Sequence, residues 1–375
     1  MKKKIRKELL PLPLYLFYIE HKYFFSQLFK FHAYKLRKLT SDIPKDNLEI
    51  KDMNLWIQKL CNICYAIPEL GIELGRLFFK TKISIVKPIE ISSDDILFVC
   101  IQKNDTIKMK SFLNHHRKIG AHKFIILDNN STDGSKEWLL EQEDVFLLES
   151  KDPYTTLQRE AWINRIYSYF GYNRWYVVLD SDELLIYDNC ERKTINDLVS
   201  YFETHKVKRG LALMTDMYAN SIYYKSGDST KYLEDCCYFD SDSYEFVRND
   251  YLHKISGGPR KRVFNIQKGI ICKYPVLYLE SEDLQYHAHR LFPFSKNWGL
   301  NCQLILQHYK FLRNDIEKYR QRAKEGNFGG NSIEYKKYMS VIDNEEELDF
   351  FYKGTTKYED SSSFQTINIY KPIKW

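Results

Sequence analysis

The chain has 375 residues, 44% hydrophobic and 15% aromatic, with a formal net charge of +6. That is long enough for one large core or two smaller ones and too apolar for a disordered chain. Residues 1–40 hold ten basic and two acidic side chains, a surplus of eight, so the remainder carries −2 and does not read as a nucleic-acid binder.

The N-terminal region alternates basic and aromatic groups. Its apolar run, Leu9 to Ile19, is eleven residues with two prolines inside it. A bilayer span needs ~20 apolar residues, and no small-residue cleavage site follows the run. Two readings stand for residues 1–40: a segment lying on an anionic membrane surface, or helices whose aromatics pack on the body. The eight cysteines are scattered, which points to reduced thiols and a cytoplasmic setting, with peripheral attachment to the cytoplasmic face of a membrane if the first reading holds. Cys61 and Cys64 have half the spacing of a zinc site, and no second pair follows. A helical stretch is expected around Leu55–Phe79, then a linker from Lys87 to Asp95.

From residue 96 the pattern predicts alternating strands and helices. The strands are Ile96–Ile101, Lys123–Asp128, Val145–Leu148, Trp175–Leu179 and Gly210–Tyr218; helices fill the gaps. Gly120 marks one helix end, and Thr194 with Asp197 forms a capping signal. This order implies an α/β domain with a mostly parallel central sheet flanked by helices. The division expected is 1–90, a basic and aromatic helical region; 91–325, the main domain, split at 220/221; and 326–375, a C-terminal tail packing on it.

Three polar strand ends carry the chemistry. Lys103-Asn104-Asp105 follows the first strand, Asp128 to Gly134 the second, and Asp180-Ser181-Asp182-Glu183 the fourth. Carboxylates so close together repel, and a divalent cation with a taste for oxygen ligands, Mn²⁺ or Mg²⁺, removes the conflict. In open α/β sheets ligands sit at the carboxyl ends of strands. A metal there could bridge and neutralise a diphosphate. Gly257-Gly258-Pro259-Arg260-Lys261-Arg262 is a turn with three cations, suited to phosphate.

Taken together, Asn104-Asp105, His115-His116, Asp128 to Gly134 and Asp180 to Glu183 resemble the glycosyltransferase family 2-like proteins with the GT-A fold, over residues 96–220. Gly257 to Arg262 and His308-Tyr309-Lys310 are similar to that branch more loosely. One departure is Lys103-Asn104-Asp105, where the family has Arg-Asn-Glu. The resemblance implies a GT-A type nucleotide-diphospho-sugar transferase, metal-dependent and inverting. It would move a sugar from a nucleotide-diphosphate donor, UDP-sugar favoured, to a hydroxyl of a glycan or lipid-linked acceptor, in surface polysaccharide or glycoconjugate synthesis.

The same resemblance implies roles. Asn104, Asp105, Asp128, Asp180, Arg260 and Arg262 would bind the donor. Asp180 and Asp182 would hold the metal, with His289 as first choice to complete the shell and His287 or His308 as alternatives. The base that deprotonates the acceptor hydroxyl would be Asp216 or Asp283, with Glu245 and Glu282 also in range. Two other functions compete: a non-catalytic nucleotide-sugar or glycan binder on the same fold, and another Asp-x-Asp phosphate enzyme. The haloacid-dehalogenase phosphatases have such a strand end but want Thr or Val where Leu184 stands.

Overall fold

The computed structural model describes residues 82–375 except 224–230, 249–252, 268, 281–282, 293, 298, 327–328 and 345–347. The basic and aromatic segment, the helical stretch at 55–79, the Cys61/Cys64 pair and Glu282 therefore lie outside the described residues.

Nine strands form one mixed central sheet: β1 (Ser84–Lys87), β2 (Leu97–Gln102), β3 (Phe124–Asp128), β4 (Val145–Glu149), β5 (Arg174–Asp180), β6 (Glu183–Tyr187), β7 (Arg209–Asp216), β8 (Cys272–Leu279) and β9 (Cys302–His308). Their order across the sheet is β1-β4-β3-β2-β5-β8-β7-β9-β6. Pairing is parallel through β4, β3, β2 and β5, as strand–helix alternation predicts. β8 then enters antiparallel between β5 and β7, and β9 pairs parallel to β7 and antiparallel to β6. β1 adds an antiparallel edge ahead of the boundary expected near residue 90.

The inner strands are near-continuous apolar runs because both faces are covered. Leu97, Phe98, Val99, Ile125, Ile126 and Val177 are all fully buried. Helix α1 (Thr106–Lys118) turns Met109, Phe112, Leu113 and His116 inward, the spacing of one helical face. Helices α2 (Ser135–Leu140), α3 (Thr156–Phe170) and α4 (Ile195–Thr204) follow β3, β4 and β6. Thr194 and Asp197 cap α4 reciprocally, as their spacing predicts.

β8 holds Pro275 in the middle of the sheet. Proline lacks the N–H of a ladder bond, and the register with β7 shifts between Lys273 and Val276 to accommodate it. The strand supplies Lys273 to the sheet's polar end.

The C-terminal part closes over that end. A short helix α5 (Gly258–Arg262) is followed much later by α6 (Ile316–Glu325) and α7 (Gly329–Ile342). A second apolar cluster, with Phe264, Phe311, Tyr338 and Phe350, ties α7 and the tail to the body. Further along the tail, Thr355–Lys357 pairs with Tyr238–Asp240, and the Trp375 indole donates to the Asp188 carbonyl at 3.0 Å. Among the described residues, no helix is long and apolar enough to cross a membrane.

Candidate active site

The strand ends and the α6–α7 hairpin enclose a cleft of about 1010 Å³, at the upper end of the range for small-molecule sites. Ten Lys or Arg side chains line it against seven Asp or Glu. A cation surplus of this kind draws an anionic ligand.

At the floor lies the turn between β5 and β6. Asp180 ends β5, and its carboxylate accepts from Arg159 Nη2 of α3 at 2.6 Å and from Lys273 of β8. Burial pushes the Asp180 carboxyl up, but Arg159 and Lys273 outweigh it and hold it far below the usual carboxylate range. Glu183 starts β6, turned inward and fully buried. It accepts from Lys273 Nζ at 2.6 Å and from the Asp180 N–H at 3.0 Å. Burial raises its carboxyl despite Lys273.

Asp182 sits at the tip, and its side chain keeps 25% exposure. Strand register decides its neighbour. His308 ends β9, opposite Glu183 on β6 and Asp216 on β7. Its Nδ1 is 2.6 Å from Asp216 Oδ1. Burial raises the Asp216 carboxyl, but Arg260 and His308 bring it down to about 2, so it is ionised and accepts the Nδ1–H. That orients the ring and turns Nε2 outward, 3.6 Å from Asp182 Oδ2. The Tyr309 N–H donates to the Asp182 carbonyl at 2.9 Å and pins the turn there. Burial works against the Asp182 charge, but His308 and Lys108 keep its carboxyl below its ordinary value.

A carboxylate oxygen and an imidazole nitrogen face each other here at a spacing that a divalent cation could bridge. Among the described residues no group of three or more His, Cys, Asp or Glu could hold a metal ion. Asp182 and His308 are thus two donors, fewer than a divalent ion takes, and an ion here would need further oxygen donors.

The other predicted residues divide between the cleft and the scaffold. Asn104 and Asp105 line the cleft. Asn104, at φ +53°, accepts from the Thr132 N–H at 2.7 Å. Asp105 accepts from Ser181 Oγ at 2.7 Å and from Lys318 Nζ of α6 at 2.9 Å. Asp128 does not reach the cleft: it is fully buried under its own turn, accepting from Ser131 N–H at 3.0 Å and from Gln102. The rest of that turn bonds to itself and to the start of α1, with Asp133 accepting from Ser135 and Thr106.

Arg260 lines the cleft and grips Asp216 through Nε and Nη2, both at 2.8 Å. Arg262, two positions on, faces away, because positions i and i+2 of a helix do not share a side. It donates to Asp240 and the Phe350 carbonyl and stacks on Tyr352. Asp283 is also outside the cleft, buried between Arg209 at 2.9 Å and Lys296 at 2.7 Å. The expected bases are thus both committed to buried cations. Glu245 is exposed and pairs with Lys261. His289 lines the cleft, with Nδ1 donating to the Cys272 carbonyl at 3.0 Å, but the histidine against Asp182 is His308.

His115 and His116 serve the scaffold. His116 is fully buried, and burial pushes its pKa well down, so it stays neutral. Its Nδ1 donates to the Phe112 carbonyl and its Nε2 accepts the Leu185 N–H. His115 Nε2 donates to the Leu185 carbonyl at 2.8 Å. The pair thus stitches α1 to β6, next to the acidic turn.

Sequence reasoning missed four residues: Lys108, Arg159, Lys273 and Asp315. Lys108 and Asp315 form an ion pair at 2.5 Å with both side chains almost wholly buried. Two of them left a signal. Lys273 interrupts an apolar run, and Lys108 falls on the apolar face of α1; a buried charge needs a partner.

No family model and no curated protein matches the chain. Parts of it are similar to solved structures at low identity. One is the mannosyltransferase PcManGT from Pyrobaculum calidifontis, in complex with GDP-Man and Mn²⁺: 15% identity, TM-score 0.25, covering 41% of this chain and 47% of that one. Another is TarS of S. aureus, residues 1–349: 12% identity, TM-score 0.26, 49% of this chain and 47% of that one. A third is HddC from Yersinia pseudotuberculosis: 10% identity, TM-score 0.27, 49% of this chain and 74% of that one. The matched region spans about half the length of the first two.

Proposed function

We propose that the chain is a glycosyltransferase that takes a sugar from a nucleotide-diphosphate donor and passes it to an acceptor hydroxyl. One observation carries the reading: Asp182 and the outward Nε2 of His308 face each other, 3.6 Å apart, on the floor of a cation-rich cleft at the strand ends. Asp182 and His308 would hold Mn²⁺ or Mg²⁺. The ion, when bound, neutralises charge on the diphosphate.

The chain's own groups do the rest. Asp216 orients His308 through Nδ1, and Arg260 holds Asp216 ionised. Lys273 and Arg159 fix Asp180, so the turn presents Asp182 in one orientation. Asn104 and Asp105 also line the cleft, with Asp105 bonded to Ser181 of that turn. In the inverting transfer we propose, the acceptor oxygen bonds to the anomeric carbon as the bond to the diphosphate oxygen breaks. The hydroxyl proton leaves to a base, and the nucleoside diphosphate departs with the bonding pair.

The test is release of free nucleoside diphosphate from a panel of nucleotide sugars with Mn²⁺, with and without glycan acceptors. Asp182→Ala is expected to lower the rate on the order of 10²-fold or more with the fold intact by circular dichroism. No release from any donor, or an undiminished rate in the variant, contradicts the proposal.

A further inference from the structure

A second, small cavity adjoins the cleft floor and shares Arg159, Lys273 and Ala288 with it. It measures about 10 Å³, room for a single water-sized guest. Its polar lining is Arg159, Lys273, Arg290, Gln285 and Tyr274.

These groups are mismatched to water. Arg159 is 5% exposed, and while Nη2 binds Asp180, its buried Nη1 has no hydrogen-bond partner. No carboxylate pairs with Arg290 among the described residues. Guanidinium and ammonium groups only donate. The lining side chains able to accept already make one contact each: Gln285 Oε1 accepts from the Tyr167 hydroxyl, and the Tyr274 hydroxyl meets His253 Nδ1. A water here finds more donors to accept from than acceptors to donate to. A guest that only accepts fits better.

Charge points the same way. Arg159, Lys273 and Arg290 are three cations, while Asp180 and Glu183, which Lys273 bridges, are two carboxylates. One positive charge is left over, on the half-buried Arg290. The volume holds one small guest and is too small for phosphate or sulfate.

We infer that this cavity is a binding site for one monovalent anion of the chloride class, held by Arg159 Nη1 and Arg290 beside Asp180. The anion completes the charge balance of the Asp180–Arg159–Lys273 array and keeps it rigid. The inference rests on the pairing around Asp180, not on the transfer reaction, and it stands or falls separately.

The test has two arms on the full chain. Crystals soaked in sodium bromide should give an anomalous peak between Arg159 and Arg290. Thermal unfolding should show a saturable rise in Tm when potassium chloride or bromide replaces potassium gluconate at equal ionic strength. Arg290→Gln should lose that rise while unfolding in gluconate like the unaltered chain. Water density without anomalous signal overturns the site, and so does an equal halide rise in the variant. The bromide arm reads the unaltered chain, so a variant that fails to fold leaves the test decisive.

Discussion

Asp216 decides what His308 can do. Its carboxylate takes the Nδ1–H and two N–H groups of Arg260, so it is a positioning group for the histidine rather than a free base. Replacing it has a calculable signature. Asp216→Asn strands the Arg260 charge in a buried place, and removing one partner of such a pair costs about 3–5 kcal/mol. The pH dependence has a definite sign. The folded carboxyl titrates at about 2, below the ~3.9 of an unfolded aspartate, so its contribution is present above the unfolded value. It is lost as pH falls through the folded one. The stability gap between the unaltered chain and Asp216→Asn should be flat from about pH 5 to 7 and close between about pH 4 and 2. Urea unfolding across that range checks it, and a gap that ignores pH contradicts the assignment.

At the scale of elements, α5 aims Arg260, and the turn before it has little freedom. Gly257 has φ +124°, and a Cβ there would lie 2.1 Å from the Ser243 carbonyl oxygen and 2.9 Å from Tyr244 Cα. Both neighbours are backbone, so neither can swing aside. Gly257→Ala should cost on the order of 3 kcal/mol from strain and overpacking together. A lowered Tm with weakened nucleotide binding is the expected result, because Arg260 is carried on that turn; an unchanged Tm contradicts it.

The sequence read well where chemistry is local. The strands 97–102, 124–128, 145–149, 174–180 and 209–216 follow from apolar runs, and the Thr194–Asp197 cap follows from spacing. β8 was not legible. Lys273 and Pro275 break its apolar pattern, and its partners lie about 60 to 100 residues upstream, beyond any local signal. The site divided in the same way. Asp180 and Asp182 announce themselves as a cluster. That His308 meets Asp182 depends on the register of β9 between β6 and β7, which no spacing encodes. Asp128 and Arg262 carried the right chemistry but face the scaffold, since burial and helix phase decide direction.

Across the whole molecule, the region after residue 220 is not a separate half. β8 and β9 return into the central sheet beside β5 and β7, so the cleft is built from both ends of the chain. Its floor is the β5–β6 turn and its far wall is α6, which reaches back through Lys318 to Asp105 and through the neighbouring Asp315 to Lys108. The cation surplus of that enclosure and the Asp182–His308 pair together support the proposal that an anionic nucleotide donor binds here with a divalent ion. Isothermal titration of nucleotide sugars into the full chain with Mn²⁺ tests that claim most directly. The account predicts saturable one-to-one binding that chelator weakens and Asp182→Ala abolishes, with Tm of the unliganded variant retained. Failure of every nucleotide sugar to bind, or equal affinity in the variant and in chelator, would contradict it.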